Sequence, residues 1–233
     1  MVAEVKREVY RKAVHLLLSL ILMAPFFLPL PAPLDIYSYY ALGLLAAALL
    51  SSTAAKRSVF LSRLSSFRES LEQRISGIQE LQKKMPLKAI EEAFIGLVEF
   101  IGQQVELLER DYERREGYVG LFYGMTGGVI SLLLSPCHAL YGLAALAVVD
   151  PAASLSNLLL RRGKSFTGDL VAFGMYFAVL LSLGVPAVKC LLLSLAAVVA
   201  EYFSVEDNLT IPPVVTLAAF LLGAPPFCPV SSR

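Results

Sequence analysis

Seven long apolar runs, parted by short stretches of proline, glycine and charge, make up most of this chain outside its middle. A run of roughly 20 apolar residues satisfies its own backbone only as a helix, and at that length it matches a bilayer core. The runs fall at 13–31, 36–55, 118–135, 139–160, 168–184, 187–203 and 211–228. Each is bounded by residues that stop a helix or resist lipid: Pro29, Pro31 and Pro33; Lys56; Gly117; Pro136; Arg161; Gly184 and Pro186; Glu206; Pro225 and Pro226. The expected fold class is all-α, a multi-pass transmembrane helical bundle of about seven spans.

Composition agrees. Charged residues are 17% of the 233, against about 25% in a soluble domain, and mean hydropathy is +0.67. A net charge of +1 gives no reason to expect a nucleic-acid partner. Lys6, Arg7, Arg11 and Lys12 precede the first run as they would in a signal peptide. The run that follows is longer than a signal's apolar region and lacks a small-x-small cleavage site, so it reads as a retained first helix.

The middle differs. Apolar residues recur in steps of three and four, from Phe60 through Leu64, Phe67, Leu71, Ile75 and Ile78 to Leu81, and again from Leu87 to Leu108 after Pro86. This period marks amphipathic helices. Three parts are expected: residues 1–55, two transmembrane helices; 56–116, a helical hairpin projecting into the cytoplasm; and 117–233, the transmembrane region carrying most of the unusual polar residues. The hairpin's charged faces read as solvated, the alternative being a dimerisation arm that makes a homodimer through its seam.

Basic residues set the topology. With seven spans, the N-terminal segment, the hairpin region and residues 161–164 share one side and hold 18 of the 20 Lys and Arg. The positive-inside rule makes that side cytoplasmic. The expected location is a cell membrane or endoplasmic reticulum membrane, among membrane lipids, with the active site facing the cytoplasm.

Four polar groups gather toward that side. Glu8, Arg11, Lys12 and His15 share one face of a helix where the first span enters lipid. Asp150-Pro151 follows an apolar run; a carboxylate at that depth is costly unless paired or metal-bound. Asp before Pro also resembles an N-cap with Pro at the first helical position, so the fourth span is expected to break near Asp150. Arg161, Arg162, Lys164, Ser165 and Gly168 combine cations, hydroxyls and glycines before a helix start, features that suit a phosphate. Glu201 lies in the last turns of the sixth span. Asp207 and Asn208 are expected in the loop after it, offering with Glu201 the hard oxygens that suit Mg²⁺.

In order and sidedness these groups resemble the dolichol kinase and phytol kinase family. Glu8, Arg11, Lys12 and His15 match its Glu-x-x-Arg-Lys-x-x-His start. Asp150, Ala153 and Ser154 match Asp-x-x-Ala-Ser. Lys164, Ser165 and Gly168 match Lys-Ser-x-x-Gly, and Glu201 with Asp207 to Pro212 matches a Glu followed by Asp-Asn-Leu-Thr-Ile-Pro. The chain departs from the family at Asn157 and Arg161, where glycines are usual, and at Thr167-Gly168-Asp169, where Glu-Gly-Ser is usual.

The resemblance implies an integral membrane kinase that moves the terminal phosphate of CTP to an isoprenoid lipid alcohol, with Mg²⁺ as cofactor. It implies catalytic roles for Asp150, Asp207, Glu201 and His15. Phosphate contacts would come from Arg11, Lys12, Ser154, Lys164, Ser165 and Gly168, and metal ligands from Asp150, Asp207, Asn208 and Glu201. One rival is a CTP-dependent phospholipid cytidylyltransferase, whose long Asp- and Gly-rich signature is missing here. Another is a transporter or non-enzymatic membrane protein, for which an internal repeat is the missing mark. Cys137, Cys190 and Cys228 lack metal-ligand spacing. All three fall toward the outer side and read as buried free thiols in preference to one disulfide.

Overall fold

The computed structural model describes residues 2–55, 96, 119–159 and 165–230. Among them the regular elements are seven α-helices: α1 (Val2–Phe27), α2 (Ile36–Ala55), α3 (Val119–Leu134), α4 (Ala139–Leu159), α5 (Phe166–Ser182), α6 (Ala187–Phe203) and α7 (Asp207–Leu221). No strand occurs among the described residues. The expected hairpin at 56–116, apart from Gly96, and residues 160–164 lie outside them. The chain divides into two units, Met1–Ala47 with Gly120–Arg233, and Ala48–Val119.

Each apolar run becomes one helix. By length and composition only two helices among the described residues, Glu8–Phe27 and Ala139–Leu159, are long and apolar enough to cross a bilayer. The last run, expected over 211–228, stops at Leu221 because Gly223 takes φ +59°, a left-handed conformation suited to glycine, before Pro225 and Pro226. The seven-span expectation therefore goes further than these helix lengths carry.

Helix α4 is the spine of the first unit and packs on α1, α5, α6 and α7. One face, with Tyr141, Ala144, Ala145, Val149, Ala152 and Ala153, joins the apolar cluster built with α5, α6 and α7. Its Leu140, Leu143 and Leu146 join a second cluster built with α1, α2 and α3. Alanines on the first face let neighbouring backbones approach closely, and leucines fill the wider gap on the second.

Prolines inside helices shape three elements, because each removes the donor for the carbonyl four residues back. Pro25 leaves Ile21 O without its helical partner, and the Tyr39 hydroxyl of α2 donates to that oxygen at 2.8 Å. Pro212 and Pro213 do the same to Asn208 O and Leu209 O. Those two carbonyls lie against Gly127 of α3, where a Cβ would sit 2.7 and 3.1 Å from them. Asp35 starts α2 by accepting the Ser38 backbone N–H at 2.6 Å. Hydrogen bonds from the Ser38 side chain and backbone hold the Asp35 carboxyl below its ordinary range.

Two sequence expectations are corrected here. The fourth span does not break at Asp150: α4 runs through Pro151 without interruption. One lost hydrogen bond does not end a helix packed on four others. Asp150 is thus neither an N-cap nor a loop residue. It sits mid-helix, about 13 Å from the C-terminal end at 1.5 Å per residue. Asp207 and Asn208 are likewise not in a loop but form the first turn of α7.

The preference for free thiols is also overturned. Cys137 and Cys228 form a disulfide, and Cys190 is a buried free thiol. The bridge belongs to a clasp at the end of the bundle where α3 turns into α4. His138 Nδ1 lies 2.8 Å from Ser135 Oγ, and its Nε2 lies 3.1 Å from Ala224 O. Tyr141 donates its hydroxyl to Pro225 O at 2.7 Å, and the Phe227 N–H donates to Cys137 O at 2.7 Å.

Polarity is distributed inside out. Lys12, Asp150, Asn157, Asp169 and Glu201 are buried, while Leu17, Leu42, Leu45, Leu133, Val188, Leu195 and Leu221 stand exposed.

Candidate functional site

Lys12 and Asp150, 138 residues apart in the chain, meet where α1 crosses α4. Lys12 Nζ lies 2.6 Å from Asp150 Oδ1, and the two side chains are only 4% and 8% exposed. His15, one turn further along α1, places Nε2 3.0 Å from Leu146 O and 3.7 Å from Asp150 Oδ2. A carbonyl only accepts, so His15 Nε2 carries the hydrogen of this bond, and in the neutral ring the lone pair lies on Nδ1. Ser154, one turn beyond Asp150, donates its hydroxyl to Oδ1 at 3.3 Å. As the α1 contacts advance from Lys12 to His15, those on α4 retreat from Asp150 to Leu146, so the two helices run antiparallel.

The first two sequence groups thus form one site. Arg11 lies beside it, about a quarter exposed and bonded to Glu8 at 2.5 Å. That i,i+3 pair is worth a few tenths of a kcal/mol. The Lys12–Asp150 pair is different in kind: removing either partner strands a buried charge, at a cost of about 3–5 kcal/mol.

The third group explains itself largely by capping and packing. Ser165 is the N-cap of α5, accepts the Gly168 N–H at 3.4 Å, and donates its hydroxyl to Asn157 Oδ1 at 2.5 Å. A Cβ on Gly168 would fall 2.5 Å from the same Asn157 oxygen. Asn157, noted in the sequence only as a departure from glycine, is therefore the residue about which this junction is built. Lys164 lies outside the described residues.

The fourth group sits where α6 leads into α7. Glu201 is buried near the end of α6, and Asp207 and Asn208 open α7. Asn208 donates from Nδ2 to Gly120 O at 3.3 Å. Its Oδ1 is buried without a hydrogen-bond partner among the described residues. A buried oxygen acceptor of this kind, next to Asp207, fits a hard cation such as Mg²⁺, which needs few protein ligands when phosphates supply the rest. Among the described residues no three His, Cys, Asp or Glu side chains gather into a metal cluster. Asp150, expected as a metal ligand, is paired with Lys12 through Oδ1.

Comparison with protein-family models, curated proteins and solved structures finds no match. Sequence reasoning missed three contributors: Asn157, Tyr39 and the His138 clasp. Pro25 was the available signal for Tyr39, since a helical proline asks for an outside donor.

Proposed function

We propose that this chain is an integral membrane phosphotransferase that moves the terminal phosphate of CTP to an isoprenoid alcohol at the cytoplasmic boundary. The observation that carries the reading is the buried Lys12–Asp150 pair with His15 and Ser154 around it. Residues from two separate motifs of the kinase-like pattern converge there, and ionisable side chains buried within apolar helices are costly enough to be functional candidates by default. The apolar exterior supports a bilayer setting, as an aqueous protein does not present so many large aliphatic side chains.

In the reaction, the alcohol oxygen attacks the terminal phosphorus, the bond to the bridging oxygen breaks, and CDP leaves. The hydroxyl proton passes to a base. His15 suits this role, because its Nε2–H is anchored on Leu146 O and Nδ1 keeps a lone pair. Lys12 and Arg11 supply positive charge for the phosphates, which is most of what phosphoryl transfer requires of a protein. Asp207, Asn208 and Glu201 would hold Mg²⁺, which supplies charge neutralisation on the triphosphate.

The test is incubation of purified protein with Mg²⁺, γ-labelled CTP and a panel of isoprenoid alcohols. Label in the lipid fraction supports the reading. A folded protein that labels no lipid overturns it, and label passing from α-labelled CTP to added lipid phosphates would indicate cytidylyl transfer instead.

A further inference from the structure

We propose that Lys12 and Asp150 form a latch that a phosphoryl anion opens: Lys12 leaves the carboxylate for the phosphate, and Asp150 remains behind beside Ser154 and His15. This deepens the phosphotransferase reading and rests on it for the class of ligand.

Three observations carry it. The Lys12 ammonium, expected to meet phosphate, is covered, since the side chain is buried and Nζ is held 2.6 Å from Asp150 Oδ1. Asp150 does not depend on Lys12 alone, because Ser154 Oγ lies 3.3 Å from Oδ1 and His15 Nε2 lies 3.7 Å from Oδ2. Departure of the ammonium leaves a carboxylate with polar neighbours in place. Lys12 also sits on the helix best able to permit the exchange. Most of the apolar stretch of α1 is not buried, whereas most of α4 is, and the principal packing partner of α1 is α4 itself. A lysine, with three donors on a four-carbon stem, can change partner while the backbone stays in place. Arg11, a quarter exposed beside it, marks the side from which an anion would come.

The latch imposes a penalty on binding: if the free Lys12 state is populated at one part in ten or less, apparent affinity falls at least tenfold. Removing the carboxylate removes that penalty. The experiment titrates metal-free protein with inorganic tripolyphosphate in one arm and with isoprenyl monophosphate in micelles in the other. Asp150→Asn is expected to bind about tenfold tighter than the unaltered protein, and Lys12→Met with Asp150→Asn is expected to lose that gain. Tightening in the first arm identifies a soluble phosphate as the opener, and in the second a lipid headgroup. Unchanged or weaker binding to Asp150→Asn in both arms overturns the latch.

If Asp150→Asn is too unstable to titrate, tripolyphosphate or isoprenyl phosphate is expected to raise its melting temperature more than that of the unaltered protein. An equal or smaller rise with both overturns the proposal. Binding that fails to tighten in a protein that labels lipid from CTP sinks the latch alone. Tightened binding in a protein that labels no lipid sinks the kinase reading alone.

Discussion

The ammonium of Lys12 and the carboxylate of Asp150 neutralise one another inside the bundle, 2.6 Å apart. Each is buried, and each belongs to a different helix. The pair therefore fixes how α1 docks on α4 as well as supplying the chemistry proposed for the site.

Its contribution to stability is measurable by deletion. Lys12→Met strands the Asp150 carboxylate and should cost about 3–5 kcal/mol, read as a shift in reversible unfolding in mixed micelles. The double variant Lys12→Met, Asp150→Leu should recover most of that loss, because both charges are gone. A double variant as unstable as the single one would show that the ion pair is not what holds the helices together.

Tyr39 and Pro25 should be coupled. Tyr39→Phe removes the donor to Ile21 O and is expected to cost about 1 kcal/mol. Pro25→Ala restores a backbone N–H for the same carbonyl. In that background Tyr39→Phe should cost much less, and a double-mutant cycle measures the difference. Additive effects would mean the phenol does not stand in for the missing amide.

Glycines on α3, α4 and α5 should separate by what faces them. Gly127→Ala puts a Cβ 2.7 Å from Asn208 O, and Gly142→Ala puts one 2.1 Å from Pro212 O. Backbone cannot give way as a flexible side chain can, so each should lose at least about 1–3 kcal/mol. Gly174→Ala meets nothing within 4 Å; there the better helix propensity of alanine should leave stability unchanged or raised by up to about 1 kcal/mol. Thermal melts of the three variants check the order.

Thiol labelling tests the disulfide and the sidedness together. Without reductant, Cys137 and Cys228 should not react with maleimide, while Cys190 should react only after unfolding. In sealed, right-side-out vesicles, an impermeant reductant added outside should release Cys137 and Cys228, since on the proposed topology they face away from the cytoplasm. Cys137→Ser with Cys228→Ser frees a loop closed over 91 residues. In the chain-entropy account this should cost about 4–5 kcal/mol.

Helix positions were legible because apolar runs and their prolines and glycines carry local information. Five of the seven described helices follow their runs within two residues, while α1 starts well before its run and α7 ends well short of the end of its run. Asp150 misled because Asp-Pro is a good helix start in isolation, and only packing on four neighbours keeps α4 continuous there. The pairing of Lys12 with Asp150 could not be read at all. It depends on α1 lying antiparallel against α4, a long-range relation that spacing within either motif does not contain. The capping and packing of Ser165 and Gly168 were hidden for a related reason: hydroxyls and glycines that suit phosphate are also those that cap and pack a helix, and Asn157 supplies the partner here. Cysteine pairing was equally hidden, since nothing local tells Cys137 that Cys228 lies beside it while Cys190 does not.

The bridge from Cys137 to Cys228 also dates the molecule. It turns α4, α5, α6 and α7 into a closed covalent ring, and that ring encloses the carboxylate of Asp150 but not the α1 helix that brings Lys12. Synthesis delivers the second sulfur only after α7 has emerged. An oxidised chain is therefore one in which the segment after α7 has reached its seat beside the start of α4. Non-reducing gel mobility would then count molecules with the ring closed against those with it open during biogenesis.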